Sequence, residues 1–324
     1  MPDVDLEALI RGVIDRNRRM IAKAMTLIES RVAEHQKLAA GVMEKILPLA
    51  GNSIRLGITG VPGVGKSTFI ENLGVYLADA GHQVAVLAVD PSSKRSGGSI
   101  LGDKTRMEKL SAHANAFIRP SPAGETLGGV AARTREMMLV CEAAGFDVIL
   151  VETVGVGQSE TAVAAMVDFF LVLMIAGAGD ELQGIKKGVL ELADGIAINK
   201  ADGDNQDRVA QAKKDLENAM HLILPATAAW QTPVMTCSSV VEKGTVPVWE
   251  TVLAHKKICR ASGDFDQRRK SQALEWMWTL VDEGLKQMFT NNPHINAQIP
   301  AVSHQVAQGK IPPTAAARTL LSYL

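Results

Sequence analysis

A phosphate-binding loop is predicted at residues 60–67, where Gly-Val-Pro-Gly-Val-Gly-Lys-Ser fits the pattern G-x-x-x-x-G-K-[ST] at every fixed position. Phosphate oxygens need several N–H groups aimed at one point, and a backbone rich in glycine can wrap that closely. Lys66 offers a point charge for the β- and γ-phosphates, and the Ser67 hydroxyl is suited to Mg²⁺. The residues expected to contact the nucleotide here are Gly60, Val61, Pro62, Gly63, Val64, Gly65, Lys66, Ser67 and Thr68.

Two acidic residues come directly after later apolar runs of the chain. Asp90 succeeds the run 84–89 and is predicted to hold Mg²⁺, with a simple turn before a proline as the alternative. Glu152 succeeds the run 148–151, at the position where common GTPases carry Asp-x-x-Gly, with Gly155 as the glycine whose N–H meets the γ-phosphate. The longer Glu152 side chain is suited to reach a metal-bound water or the attacking water.

The polar segment 94–107 combines glycines with charges of both signs. A segment that becomes ordered around a γ-phosphate needs this character, and Asp103 and Arg106 are its candidates for metal and phosphate contacts. An ordinary exposed loop is the alternative. The segment 176–188, with four glycines and opposed charges, is a second such candidate, and a plain connection between strand and helix is its alternative.

Guanine recognition is predicted after the apolar run 195–198, where the sequence continues Asn199-Lys200-Ala201-Asp202. A carboxylate at position 202 can accept hydrogen bonds from both N–H groups on the Watson–Crick face of guanine, whereas adenine has no donors there. Lys200 can lie along the base, and Asn199 can hold this loop to the phosphate loop. The segment after the last apolar run can offer an N–H to the guanine oxygen, and its candidate contacts are Ser238, Ser239 and Val240.

These motifs have to be positioned by a sheet, because each comes after a short, nearly continuous apolar run. The runs lie at 54–58, 84–89, 148–151, 169–175, 195–198 and 234–237. The helix-like stretches between them are 66–80, 126–144, 183–193, 205–223 and 246–258. This alternation predicts an α/β fold with a doubly wound, mostly parallel sheet of six strands, as in P-loop NTPases, and a ligand crevice beyond the carboxyl ends of the strands.

Helical extensions are predicted on both sides of the nucleotide domain, which we place at residues 51–260. Residues 1–50 show helical spacing that an arginine cluster at positions 16–19 interrupts, so two helices or one kinked helix are both possible. We interpret the cluster as a solvated face. Residues 261–324 form the C-terminal region.

The C-terminal region is expected to begin with a linker at 261–266 and a helix at 266–290. Pro300, Pro312 and Pro313 are expected to break the chain beyond residue 290 into short pieces, before a last short helix. The aromatic residues of this region can serve as core or as a subunit contact.

The bulk composition narrows the classes of function. A net charge of −1 over 324 residues gives no long-range attraction to nucleic acid or anionic membranes. The three cysteines lie far apart, which disfavours a disulfide framework or a zinc module and fits a reducing compartment. The longest apolar run, 169–179, is too short to span a bilayer, and no export signal opens the chain. We therefore expect a cytoplasmic protein, with a matrix protein whose short targeting peptide has been removed as the alternative.

Taken together, the motifs resemble those of the ArgK/MeaB family, P-loop GTPases that act as chaperones of adenosylcobalamin-dependent methylmalonyl-CoA mutase. The resemblance rests on Gly-Val-Pro-Gly-Val-Gly-Lys-Ser-Thr, Val-Asp-Pro-Ser-Ser, Gly-Gly-Ser-Ile-Leu-Gly-Asp-Lys-Thr-Arg-Met, Val-Glu-Thr-Val-Gly-Val-Gly-Gln-Ser-Glu, Gly-Asp-Glu-Leu-Gln-Gly-Ile-Lys-Lys-Gly and Asn-Lys-Ala-Asp. It implies a GTPase that binds the mutase, gates cofactor loading, helps replace damaged cofactor, and forms a homodimer through its C-terminal helices.

Position by position, the resemblance implies catalytic roles for Lys66, Glu152 and Asp103, and Mg²⁺ ligands at Ser67, Asp90, Asp103 and Glu152. No arginine is clearly placed as a catalytic finger, and Arg106 is the best candidate within the chain. Segments 92–106, 153–160 and 176–188 match the family's three switch segments. Two other functions stay open: a metal-insertion GTPase, which predicts a Cys/His cluster that the sequence lacks, and a kinase or ATPase of a basic amino-acid transport system, which the guanine motif disfavours. A GTP latch without catalytic purpose cannot be separated from the first hypothesis by sequence.

Overall fold

The computed structural model describes residues 5–30, 32–89, 107–121, 127–153, 159–177, 187–221, 229–242 and 244–324. These residues divide into two compact units, 1–270 and 271–324. The first unit begins with helices α1 (Leu6–Ile14), α2 (Arg18–Glu29) and α3 (Ala33–Ile46) and a 3₁₀ turn at Leu47–Leu49.

A parallel sheet of seven described strands forms the centre of the first unit, in the order β3-β2-β4-β1-β5-β6-β7. The strands are β1 (Ile54–Gly60), β2 (Val84–Val89), β3 (Ala116–Ser121), β4 (Val148–Thr153), β5 (Phe169–Ile175), β6 (Gly195–Asn199) and β7 (Val234–Thr236). The described helices of this unit beyond β1 are α4 (Lys66–Asp79), α5 (Glu108–Ala112), α6 (Leu127–Ala143), α7 (Ser159–Ala164), α8 (Lys187–Glu191), α9 (Gln206–Met220) and α10 (Val246–Ser262). The predicted doubly wound, parallel α/β sheet is confirmed.

Both faces of the sheet are buried, which is why its strands are apolar without alternation. In β4, Val148 and Leu150 pack into the core that includes α4 and α10, whereas Ile149 and Val151 pack into the core that includes α6 and the N-terminal helices. Successive side chains of a strand point to opposite faces, so a strand covered on both sides needs apolar residues at every position.

Strand β3 was not predicted from the sequence. Arg119 and Pro120 interrupt its apolar character, and β3 lies at the edge of the sheet, where it pairs with β2 alone. Proline lacks an N–H donor and is tolerated at such an edge. The expectation of six strands is therefore wrong, and the seventh is an edge strand with a mixed sequence.

The N-terminal segment forms separate helices rather than one kinked helix. Asn17 caps α2 by accepting hydrogen bonds from the N–H groups of the second and third residues after it. The arginines are exposed as predicted, but two of them also bind backbone. Arg16 Nε donates to the Ala144 carbonyl at 2.9 Å, and Arg18 donates to three carbonyls of the segment 113–116.

The expected linker at 261–266 is wrong. Helix α10 continues to Ser262, Gly263 turns the chain with φ +84°, and α11 (Asp264–Asn291) begins at the next residue. A left-handed glycine after a helix satisfies the last carbonyls and permits an abrupt change of direction. A single residue thus separates the two helices.

The second unit continues α11 and adds α12 (Pro293–Ala307) and α13 (Pro313–Leu321). Pro300 lies inside α12, so its predicted role as a break is wrong, whereas Pro313 is the first residue of α13. Asn292 caps α12 and also donates to the Tyr323 carbonyl at 3.1 Å. No described helix has the length and apolar character required to cross a membrane.

Candidate functional site

The phosphate loop connects the carboxyl end of β1 to the first residue of α4. Two of its glycines are required by their surroundings. At Gly60 (φ +153°), a Cβ atom would lie 2.4 Å from the Leu173 carbonyl oxygen, and at Gly65 (φ +96°) it would lie 2.9 Å from Asn199 Nδ2. Any side chain at either position would push the loop away from its neighbouring strand. The loop is therefore held against β5 and β6 by close backbone approach.

Lys66 lies at the start of α4 with its side chain folded over the loop. Its Nζ donates to the Gly60 carbonyl at 2.6 Å and to the Val61 carbonyl at 3.2 Å, and the residue is only 8% exposed. Burial lowers the pKa of Lys66, and the negative charges of Glu152 and Glu160 oppose that effect. An ammonium with few water contacts is well suited to exchange these carbonyls for phosphate oxygens.

Ser67 and Glu152 form a pair of oxygen groups beside this lysine. Ser67 Oγ donates to Glu152 Oε1 at 3.0 Å, because β4 pairs with β1 and aligns Glu152 with Ile58. Glu152 is 8% exposed. A hydroxyl and a carboxylate are ligands that Mg²⁺ prefers, so this donor set fits the metal.

The guanine motif begins at the end of β6, with Asn199 joining three loops. Asn199 is 1% exposed; its Nδ2 donates to the Val64 carbonyl at 2.8 Å, and its Oδ1 accepts from Ser239 N at 3.1 Å and Ser239 Oγ at 2.8 Å. Lys200, a non-glycine residue with φ +59°, donates from Nζ to the Gly63 carbonyl at 2.9 Å. The phosphate loop and the base-reading loop are thus connected directly.

Asp202 is oriented by the loop after β7. Ser238 Oγ donates to Asp202 Oδ2 at 2.8 Å, and the backbone of Cys237 pairs with Ile198 and Ala201. Val240 lies two residues after Ser238 and is 74% exposed. Its N–H is directed at Ser238 Oγ, 3.4 Å away. Both segments of the predicted base site therefore meet at one edge of the sheet.

The structure brings together the predicted residues of the phosphate loop, Glu152, the guanine motif and Ser238 to Val240. Within the loop, Val64 is buried, whereas Pro62, Gly63 and Thr68 are exposed. Four predicted site residues, Asp90, Asp103, Arg106 and Gly155, lie outside the described residues. So do segment 92–106 and most of segments 153–160 and 176–188.

One acidic residue near the site was not singled out from the sequence. Glu160, the second residue of α7, is 6% exposed and acts electrostatically on Lys66. Acidic residues are common in the first turn of a helix, where they interact with the helix dipole. Glu160 stands at the end of the switch-like segment 153–160, but nothing in that string distinguished it from an ordinary helix-start residue.

Comparison with known proteins agrees with this geometry. The family model for the methylmalonyl-CoA mutase-associated GTPase MeaB matches residues 21–294. The chain is 50% identical to the Escherichia coli GTPase ArgK, covering 89% of this chain and 88% of that one. It is 41% identical to the mouse mitochondrial methylmalonic aciduria type A homolog, covering 98% of this chain and 79% of that one.

Among solved structures, that of an LAO/AO transport system kinase matches with a TM-score of 0.79 and 40% identity, over 100% of this chain and 98% of that one. The resemblance drawn from the sequence motifs is confirmed. A P-loop that leads from a parallel sheet, joined to a guanine-reading loop, is the arrangement expected of a P-loop GTPase. The chain belongs to the MeaB family of methylmalonyl-CoA mutase-associated GTPases and is a P-loop GTPase.

Proposed function

We propose that this GTPase serves as a chaperone of an adenosylcobalamin-dependent methylmalonyl-CoA mutase, gating the loading of intact cofactor and protecting or reactivating the enzyme. The proposal that the protein binds and hydrolyses GTP rests on the Asn199 side chain. This side chain forms hydrogen bonds both to Val64 of the phosphate loop and to Ser239 of the base loop. The mutase part is supported by the description of the matching family and by the relative named for methylmalonic aciduria type A.

In the proposed hydrolysis, Lys66 leaves the carbonyls of Gly60 and Val61 and binds oxygens of the β- and γ-phosphates. Glu152 orients the attacking water, whose oxygen forms a bond to the γ-phosphorus while the bond to the β–γ bridging oxygen breaks, giving GDP and phosphate. Asp202 holds guanine by its two N–H donors, and Lys200 lies along the base. These residues fix the substrate in line for the attack.

Mg²⁺ is proposed as the metal, held by Ser67 and Glu152, with Asp90 and Asp103 as further ligands assigned from sequence. When bound, it supplies positive charge to the phosphate oxygens. We also assign Arg106 to the developing phosphate charge and the N–H of Gly155 to the γ-phosphate.

We expect slow GTP hydrolysis by the protein alone and faster hydrolysis with the mutase. The sequence does not clearly place an arginine at the developing charge, although Arg106 is its best candidate, and GTPases without a well-placed arginine of their own are accelerated by groups that a partner supplies. The test combines phosphate release with and without purified mutase and capture of the mutase by the tagged protein loaded with GDP or with a non-hydrolysable GTP analogue. Capture that depends on the nucleotide, together with a higher rate, would support the proposal.

The Lys66→Ala variant is the matched control, because it should keep the fold while losing productive nucleotide binding. Its capture of the mutase should no longer respond to nucleotide. Failure to retain the mutase in any nucleotide state would refute the chaperone role. Transfer of the γ-phosphate to a protein or amino acid, rather than to water, would favour the transport-kinase alternative suggested by the name of one solved relative.

A homodimer is the second part of the proposal. Helix α11 carries seven large apolar residues that are 40–63% exposed, among them Met277 and Leu280. The other five, Leu274, Trp278, Val281, Leu285 and Met288, lie along one face of the helix. Their spacing alternates between four and three residues, the repeat that forms a helix–helix seam. We propose that a second copy of this chain covers them.

A further inference from the structure

A buried carboxylate oxygen without a hydrogen-bond partner lies next to the nucleotide site. Glu160 is 6% exposed, and its Oε2 atom has no hydrogen-bond partner among the described residues. A buried carboxylate ordinarily finds a partner, because taking an unpaired charge out of water is costly in free energy. This residue therefore needs an explanation in terms of what binds beside it.

The packing of α7 explains why Glu160 lies at the nucleotide edge. Val163 of this helix sits on β1 at Gly57, where a Cβ atom would come within 2.9 Å of Val163 Cγ1. A helix that comes after a parallel strand runs back along the sheet, so its first residues lie near the carboxyl ends of the strands. Glu160, one turn before Val163, is thereby placed on the side of the sheet where β1 leads into the phosphate loop.

Among the described residues, Lys66 is a positive charge on which Glu160 acts. The negative charges of Glu152 and Glu160 both raise the pKa of Lys66 against the lowering effect of burial. Glu152 accepts a hydrogen bond from Ser67 at 3.0 Å, which compensates part of its charge. The Oε2 atom of Glu160 has no comparable hydrogen bond among the described residues.

We propose that Glu160 is a positioning residue that senses the γ-phosphate through Lys66. Without a γ-phosphate, the carboxylate and the ammonium attract one another across the site. When GTP binds, Lys66 is drawn to the phosphates and the added negative charge repels Glu160. The negative charge of Glu160 thus favours the binding of GDP over the binding of GTP. When GTP displaces the carboxylate, the displacement is passed to the first turn of α7, which carries Glu160. This inference rests on the GTPase site alone and not on the identity of the partner.

The test is the ratio of affinities for GDP and a non-hydrolysable GTP analogue, measured by calorimetry in the presence of Mg²⁺. Glu160→Gln keeps the shape and removes the charge, so we expect the analogue to gain roughly three- to tenfold in affinity relative to GDP, as one partly screened charge requires. Glu160→Asp keeps the charge and should stay within about twofold of the wild-type ratio. Glu250→Gln, which removes an exposed carboxylate on α10, is the matched control and should leave the ratio unchanged.

Stability gives an independent readout on the same variants. Without nucleotide the Glu160 carboxylate is attracted to Lys66, so the nucleotide-free Glu160→Gln protein should unfold at a modestly lower temperature than the wild type, whereas Glu160→Asp keeps the charge and should stay close to it. An unchanged affinity ratio in the folded variant would overturn the proposal, as would equal shifts in the Gln and Asp variants. Loss of folding in Glu160→Gln would contradict it as well. Because no mutase is present, failure of the chaperone role leaves this result unaffected.

Discussion

Ser238 Oγ holds the carboxylate of Asp202 by a 2.8 Å hydrogen bond, and we propose that guanine selection depends on this carboxylate. On this proposal, Asp202→Ala removes two charge-assisted hydrogen bonds to the base. We expect GTP affinity to fall by roughly 100-fold or more, since such bonds contribute about 1.5–3 kcal/mol each, while ATP affinity stays unchanged. Competition against a fluorescent GDP measures both. Asp204→Ala, two residues away and exposed, serves as the control and should keep the preference for GTP. A retained preference in Asp202→Ala would show that the base is read elsewhere.

A second prediction at the residue scale concerns pH. Burial raises the pKa of Glu136 on α6 from its ordinary 4.5 to about 7, with Arg133 opposing the rise. The folded protein therefore holds a proton between these values that the unfolded chain releases. This contribution to stability is full below pH 4.5 and is lost as the pH rises through about 7.

The variant Glu136→Gln cannot ionise and should escape that loss. We expect it to exceed the wild type in free energy of unfolding at pH 8 by about 1–3 kcal/mol, the upper figure being derived from 1.36 kcal/mol per pKa unit. At pH 4.5 the two proteins should differ little. Denaturant unfolding at both pH values measures the free energy of unfolding. An equal difference between the two proteins at both pH values would show that folding does not change the pKa of Glu136.

Separation along the chain decides which site residues could be predicted from the sequence. The phosphate and guanine motifs are short, so Lys66, Ser67 and Asp202 could be located from spacing alone. The bonds that connect them could not. Asn199 reaches Ser239, 40 residues later, and Glu160 lies on α7, which packs through Val163 on β1 at Gly57. Such contacts depend on tertiary packing rather than on a local pattern.

At the scale of elements, apolar runs located six strands because those strands are covered on both faces. Strand β3 escaped detection because an edge position tolerates Arg119 and Pro120. The same local patterns predicted a linker where Gly263 alone turns the chain. They also predicted a break at Pro300, although α12 continues through it. Turns and proline tolerance depend on neighbouring elements, which a sequence pattern does not include.

The start of α2 supplies a prediction for how the N-terminal helices are held. Arg18 donates to the carbonyls of His113, Ala114 and Ala116 at 2.6–2.9 Å, and so connects α2 to the turn before the edge strand β3. We expect Arg18→Ala to lower the free energy of unfolding by about 1–2 kcal/mol, less than a fully buried charged group would give because Arg18 is exposed.

The neighbouring arginine offers a matched control. Arg19 is also exposed, and no hydrogen bond of its side chain is seen within the described residues. Arg19→Ala should change the free energy of unfolding by no more than about 0.5 kcal/mol. Denaturant unfolding of both variants tests the difference. If the two substitutions changed the free energy of unfolding equally, the hydrogen bonds from Arg18 to these carbonyls would stabilise the fold no more than hydrogen bonds to water do.

For the whole molecule, the exposed seam of α11 predicts association. A single helix face with five apolar side chains at alternating spacings of four and three residues is costly to leave in water, and pairing with a second copy would bury it. We expect a particle of twice the 34.6 kDa chain mass in light scattering at micromolar concentration. Leu285→Asp places a charge in the seam and should give the monomer, because an unpaired charge at an apolar interface opposes pairing. Gln287→Asp introduces the same charge two residues further along, outside the seam, and should remain dimeric. A monomeric wild type would reject the assignment of this surface, whereas dissociation by both variants would indicate a general charge effect rather than a defined seam.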